Sequence, residues 1–326
     1  MAAPTETTTS RGSPDSVEPG PLRVLLGVDG SACAADALEF VDRSPWPDGS
    51  EIRVVEAIED RVPAIAGPWP TYGHVEAPQI VEAMGEEAER TVADSVTKLE
   101  RSGIKITSAV VPGRPVNVLI DTAGDFDASL IVVGSHGRGA IKSMVLGSVS
   151  ADVVAHAEAP VLVARQPGVA RILLAWDGSA AAGEAANLLL EWPVFEDSIV
   201  RVASVAHGGP DWMSSVHWST PTPDAAITSV GDEPSLNHHV ELAEDMAGRL
   251  SRGGLDARAD VREGDPADEI LSVARSWQAD LIVMGTHGRT GLQRLVLGSV
   301  AQHVIAHAPC SVLVVREPDT ETASDA

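Results

Sequence analysis

Along the chain, short unbroken apolar runs alternate with longer segments whose apolar positions recur every three or four residues. The runs Leu22–Val28, Ile52–Ile58, Ile104–Val111, Leu130–Val133 and Val161–Ala164 read as strands buried on both faces. Between them Ala32–Val41, Ile80–Arg101, Val116–Gly124 and Val149–Ala157 carry helical patterning, and in the last of these Val149, Val153 and Val154 share a face. The order then returns, with strands near Ile172–Ala175, Ile199–Val205, Ala257–Val261, Leu281–Met284 and Val312–Val315. Regular alternation of strand and helix implies βαβ units, right-handed crossovers and a parallel sheet covered on both sides. The expected fold is α/β: two tandem, doubly wound, Rossmann-like domains, each with five strands and helices on both faces.

The second half is a copy of the first. Leu130–Pro167 aligns without gaps to Leu281–Pro318, with 21 of 38 positions identical at an offset of 151 residues. Upstream, Arg23–Leu38 matches Arg171–Ala186 at an offset of 148. The expected division is therefore a tail over 1–20, a first domain over 21–167, a second over 168–318 and a tail over 319–326. Both tails are rich in Ser, Thr, Pro and acidic residues, a composition that predicts disorder. The segments Glu59–Pro78 and Ala206–Glu233 read as long loops over the carboxyl ends of the strands. Their tryptophans, Trp69, Trp212 and Trp218, fit either a cover over a bound base or packing on the sheet edge.

Composition narrows the function. The 326 residues include 23 Lys and Arg against 47 Asp and Glu, a net charge of −24, with no basic stripe and three lysines, Lys98, Lys105 and Lys142. Such a surface repels polyanions, so nucleic acid is an unlikely partner, and 3% aromatic residues make no base-stacking platform. No run approaches a membrane span, and Met1–Pro21 has neither the basic patch nor the apolar core of a signal peptide. Two distant cysteines, Cys33 and Cys310, form no disulfide framework. The expectation is a cytoplasmic protein without a membrane partner.

The chemistry concentrates after the fourth strand of each copy. There the chain reads Gly134-Ser135-His136-Gly137, nine residues beginning with Arg138, then Gly147-Ser148 opening a helix; the second copy has Gly285-Thr286-His287-Gly288, nine residues from Arg289, then Gly298-Ser299. Glycines at a strand exit let the main chain approach a ligand, and a helix start adds unpaired N–H groups and partial positive charge. Together they suit a small anion such as a phosphate. In a doubly wound sheet the fourth strand lies beside the first at the switch in strand order, where ligands settle. Asp29 and Asp177 end the first strands and face that crevice, so a ribose is a natural second group and a nucleoside phosphate the expected ligand. A turn capping the following helix, assisted by Ser31 and Ser179, is the competing role for these aspartates.

On these residues the sequence resembles the universal stress protein family in its tandem form, over roughly Pro21–Pro318. The family's ATP-binding subgroup is marked by Gly, two residues, Gly, nine residues, Gly and Ser or Thr, a pattern present twice here. Also matching are Asp29-Gly30-Ser31 and Asp177-Gly178-Ser179 after the first strands, and Gly113-Arg114-Pro115 and Gly264-Asp265-Pro266 after the third. The resemblance implies the adenine nucleotide alpha hydrolase-like form of the fold, with an adenine nucleotide in each domain: ATP, alone or with Mg. It places Asp29 and Asp177 near the ribose, Ala57 and Val205 by the base, and the glycine loops with Ser148 and Ser299 around the phosphates, with Gly27 also among the nucleotide-binding residues. Arg138 and Arg289 would reach terminal phosphates or lie solvated. Ala175-Trp176 replaces Gly27-Val28 in the second copy, a change expected to narrow that site. Because family members pair through the last strand, the resemblance also implies an internal pseudo-dimer through Val161–Arg165 and Val312–Arg316, with a homodimer of chains as a further possibility.

Other residues point to less. His303 and His307 have metal-compatible spacing, but the first copy has Asp152 and His156 there, and a structural role fits better. His238 and His239 point apart on a helix. Cys33 and Cys310 read as small core residues, and no Ser/His/Asp set or Gly-x-Ser-x-Gly provides a nucleophile, so no catalytic or metal-binding residue is assigned. Three functions remain: a nucleotide-dependent stress-response regulator that acts on a protein partner through its conformation, a slow ATP hydrolase or kinase-like enzyme using the same sites, and an electron-transfer module of the flavin or pterin type.

Overall fold

The computed structural model describes residues 20–59, 77–100, 104–137, 146–206, 236–287 and 297–317. Both terminal tails, most of the two long loops with Trp69, Trp212 and Trp218, and the loop residues Arg138, Gly288 and Arg289 lie outside the described residues. The first copy contains β1 (Arg23–Gly27), α1 (Ala32–Arg43), β2 (Glu51–Ile58), α2 (Ala77–Leu99), β3 (Lys105–Pro112), α3 (Pro115–Asp125), β4 (Leu130–Gly134), α4 (Ser148–His156) and β5 (Val161–Ala164). The second repeats it with β6 (Arg171–Ala175), α5 (Ala180–Glu191), β7 (Ile199–Ala206), α6 (Leu236–Arg252), β8 (Asp256–Glu263), α7 (Pro266–Trp277), β9 (Leu281–Gly285), α8 (Ser299–His307) and β10 (Ser311–Val315). The α/β alternation and the five strands per copy agree with the hydrophobic pattern.

All ten strands join in one sheet, in the order β3-β2-β1-β4-β5-β10-β9-β6-β7-β8. Every pairing is parallel except β5 with β10, where Val161, Leu162 and Val163 stand opposite Val314, Leu313 and Val312. At the repeat offset of 151 residues, Leu162 faces its own counterpart, Leu313. That pair therefore marks a local twofold axis relating the two copies.

Successive side chains of a strand point to opposite faces, so each unbroken apolar run feeds two cores. On one face Val24, Leu26, Val132 and Leu162 pack with Phe40 of α1 and Val92 of α2, and the second copy continues this core with Leu174, Val283, Leu189 and Leu250. On the other face Leu25, Ile131, Val133 and Val163 pack with Leu119 of α3 and Val153 of α4, continued by Leu173, Ile282, Ile270 and Val304. Both cores run across the β5–β10 seam. The sheet ends in β3 and β8, and β8, with Asp256, Arg258, Asp260, Arg262 and Glu263 along one short strand, carries the charge density that discourages edge-to-edge association.

The helix starts differ in a way that bears on the crevices. Ser31 accepts a hydrogen bond from the Ala34 amide (3.1 Å) to cap α1, Ser179 does the same for Ala182 of α5 (3.3 Å), and Asp265 caps α7 through the amides of Ala267 and Asp268. At the starts of α4 and α8 the cap residues are Gly147 and Gly298, and no side chain takes up their amides. Cys33 lies in the first turn of α1 and is half-buried, short of the core position expected; its main chain lies against Gly134. Cys310 is buried, and burial pushes its thiol up to about 12.

Candidate functional site

The carboxyl ends of β1 and β4 are neighbours, as are those of β6 and β9, and each pair opens on a cavity. In the first copy the chain leaves β1 through Val28 and Asp29 and turns at Gly30, whose φ of +72° is a left-handed conformation that suits glycine. Asp29 Oδ1 accepts a hydrogen bond from the Ser31 amide (2.9 Å), and Asp177 repeats this with Ser179 (3.0 Å). Each aspartate thus shapes the turn with one oxygen while lining its cavity. Neither aspartate caps the following helix, a place taken by Ser31 and Ser179.

The exit of β4 is built on close backbone approach. A Cβ on Gly134 would stand 2.6 Å from the carbonyl carbon and oxygen of Cys33 and 2.8 Å from the Ala34 nitrogen, and one on Gly285 would meet Ala181 and Ala182 at 2.8 Å. The main chain of α1 or α5 therefore lies directly on this glycine. Beyond it, the Ser135 amide donates to the Ala164 carbonyl of β5 (3.1 Å), and the Ser135 carbonyl accepts from the Gly147 amide (2.8 Å), tying the start of α4 to the strand exit. The second copy repeats both bonds: Thr286 N to Val315 O at 2.9 Å and Gly298 N to Thr286 O at 2.9 Å. A Cβ on Gly137 would come within 2.8 Å of Asp29 Oδ2, which places that loop glycine against the aspartate.

The expected residues distribute as follows. Gly27, Asp29, Ala57, Gly134 and Gly137 line the first cavity, with Ser135 buried just beneath and Gly147 and Ser148 at the adjoining helix start. Asp177, Val205, Gly285, Thr286, Gly298 and Ser299 line the second. Sequence reasoning missed the wall contributed by α3 and α7: Pro115 and Leu119 in one copy, Pro266 and Ile270 in the other. The signal available was the inward face of those helices, at the Gly-x-Pro that starts each. It also missed Ser150, whose hydroxyl donates to the Gly134 carbonyl (2.6 Å) and locks α4 to β4. The lining of neither cavity includes a lysine or an arginine among the described residues.

The cavities differ in size, and not as the substitution suggested. The second encloses about 270 Å³ and the first about 110 Å³. In the first copy Leu119 leans over Gly27, its methyl 3.0 Å from where a Cβ would stand; in the second, Ala175 carries that methyl and Ile270 replaces the leucine. Trp176 is fixed against α6, its indole N–H donating to the Leu242 carbonyl (3.0 Å), and forms a wall of the wider cavity.

One histidine stands in each site. His136 Nδ1 is 3.1 Å from the Ser135 hydroxyl and His287 Nδ1 is 3.1 Å from that of Thr286. The Nε2 atoms of both are buried without a hydrogen-bond partner among the described residues. Desolvation, and then the nearby Arg165 or Arg316, hold both imidazoles below the ordinary value. Titration followed by NMR should therefore place His136 and His287 below about 6.5. Because the unfolded chain binds more protons between the folded value and about 6.5, stability should rise with pH through that window; the contribution is lost as pH falls through the folded value and is flat below it. Resonances titrating at or above 6.5 would contradict this packing.

The sequence profile of the universal stress protein family matches residues 22–165 and again 168–316. Curated relatives agree over most of the chain. A universal stress protein of Mycobacterium tuberculosis is 28% identical over 320 residues, covering 91% of this chain and 96% of that protein. One from Methanocaldococcus jannaschii is 53% identical over 151 residues, covering 46% of this chain and 84% of its own. Among solved structures, a universal stress protein from Archaeoglobus fulgidus superposes with a TM-score of 0.63 at 22% identity, covering 90% of this chain and 98% of that one. The solved relative and this chain share one class of architecture, the Rossmann-like α/β fold. The chain is a member of the universal stress protein family, carrying two copies of its domain. Among the described residues, no helix is long and apolar enough to cross a membrane.

Proposed function

We propose that each domain binds an adenine nucleotide, ATP alone or with Mg, and that the protein is a cytoplasmic stress-response regulator whose occupancy is read by a protein partner. The observation that carries this reading is the pair of helix starts at Gly147 and Gly298. Both open beside a cavity, and no side chain occupies their amides; α1, α5 and α7 are capped by Ser31, Ser179 and Asp265, and α3, also without a side-chain cap, opens on Pro115, which has no amide to offer. Free amides at a helix start favour an anion by hydrogen bonding and by the helix dipole, both at short range. A polypeptide of net charge −24 can hold phosphates in this way without a lysine among the described residues of the site.

In this reading Gly137, Gly147 and Ser148, with Gly298 and Ser299 in the second copy, face the phosphates. Asp29 and Asp177 take the ribose hydroxyls, and Ala57 and Val205 lie by the base. Bound nucleotide would supply charge and contacts that bring the glycine loops to one arrangement. The protein's own contribution is to bind and orient. The test is extraction and mass spectrometry of nucleotide from the purified protein, followed by calorimetry with ATP. Two sites per chain are expected, with no ADP released over many site lifetimes. Absence of binding at millimolar ATP would overturn the reading, and ADP release abolished by Asp29→Asn with binding retained would replace it with the hydrolase.

A further inference from the structure

The local twofold axis at Leu162 and Leu313 sends each last strand toward the other domain, and the residue just beyond each strand is an arginine. Arg165 Nη2 donates to the Ile305 carbonyl of α8 at 2.6 Å, and its Nη1 lies 3.4 Å from the Cys310 carbonyl. Arg316 answers from the second domain, Nη2 to the Ala155 carbonyl of α4 at 2.8 Å and Nε to the Ala157 carbonyl at 3.1 Å. Ala155 and Ile305 lie in the last turns of their helices, where carbonyls have no intrahelical partner and a cation is favoured by the dipole. At nine residues, each helix is about 13 Å long, so its far end is the start at Gly147 or Gly298.

We infer that Arg316 and Arg165 are positioning residues supplied crosswise: the second domain holds α4 at the first crevice through Arg316, and the first domain holds α8 at the second crevice through Arg165. A short helix gripped at its carboxyl end and tied near its start to the strand exit, by the Gly147 amide and the Ser150 hydroxyl in α4 and by the Gly298 amide in α8, has little freedom to turn, so the grip helps to fix where its amides point. Each crevice is then complete only in the presence of the other domain. The same arginines act on the histidine of their own domain through charge, Arg165 on His136 and Arg316 on His287. This inference rests on the proposed nucleotide binding for its affinity readout, and on the unliganded protein for a second one.

The affinity arm uses full-length protein whose second site is blocked by Gly298→Glu. Adding Arg316→Gln is expected to weaken ATP binding at the first crevice about tenfold, with partial recovery in Arg316→Lys, which keeps the charge but not the forked donors. The second arm needs no ligand: in hydrogen exchange by mass spectrometry, Arg316→Gln should speed exchange across α4 and leave α8 unchanged, and Arg165→Gln should do the reverse. The inference fails if first-site affinity stays within about twofold of the blocked parent, or if either variant loosens both helices equally, as a general loss of stability would do. A blocked parent that binds no ATP counts against the proposed function alone, and the exchange pattern then decides whether the grip is crosswise.

Discussion

Gly134→Val should unfold the protein at markedly lower denaturant than the wild type, with a loss of about 3 kcal/mol or more, at the upper end of what overpacking costs. The Cβ would be placed 2.6 Å from the carbonyl group of Cys33 and 2.8 Å from the Ala34 nitrogen. These are main-chain atoms of the first turn of α1, so no side-chain rotation relieves the contact. The helix has to lift away from β4, and it carries Ala34, Ala37, Leu38, Phe40 and Val41 into the core beneath. Gly285→Val should act alike, through Ala181 and Ala182. Gly124 offers the contrast: it lies inside α3 with nothing within 4 Å of a Cβ, so Gly124→Ala should raise stability by about 0.5–1 kcal/mol. Urea melts of the three variants test the assignment, and an unchanged midpoint for Gly134→Val would mean that α1 does not lie on the strand exit.

Gly147→Glu should abolish binding at the first crevice and spare the second, taking the calorimetric stoichiometry for ATP from two to one. The carboxylate would stand at the start of α4, in the place proposed for phosphate, where like charges oppose each other at short range. A loss of at least about 100-fold is expected, or about 2.8 kcal/mol. Crowding contributes as well, because a Cβ there meets His136 Cα and the Ser135 carbonyl at 3.2 Å. Gly147→Gln separates the two effects: it matches glutamate in size and adds no charge, so the difference between Gln and Glu measures the electrostatic part. Stoichiometry still at two in Gly147→Glu would move the phosphate elsewhere.

Most of the architecture was legible because it follows from local rules. Unbroken runs such as Leu130–Val133 can be buried on both faces only in a covered sheet, and the repeat assigned the second copy at once. The glycine spacing also located the strand exits, since Gly134 and Gly285 have no room for a side chain whatever the crevice holds. What escaped depends on tertiary register. Leu119 and Ile270 belong to the crevices only because α3 and α7 rest on the second face of the sheet, and nothing in their spacing says which inward residue reaches the strand ends. The relative size of the two cavities turned on Leu119 over Gly27, a contact between residues far apart in the chain. Arg165 and Arg316 look like ordinary polar residues after a strand. Their reach into the opposite domain becomes visible only with the β5–β10 pairing.

Joining the halves by a peptide connection at that seam frees them from sameness. An assembly of two identical chains must carry the same residue at both crevices, so any change improving one alters its twin in equal measure. Here Gly27 faces Leu119 while Ala175 faces Ile270, and Trp176 has a wall to itself. The covalent tie also makes the seam immune to dilution: however scarce the protein, neither half waits for a mate.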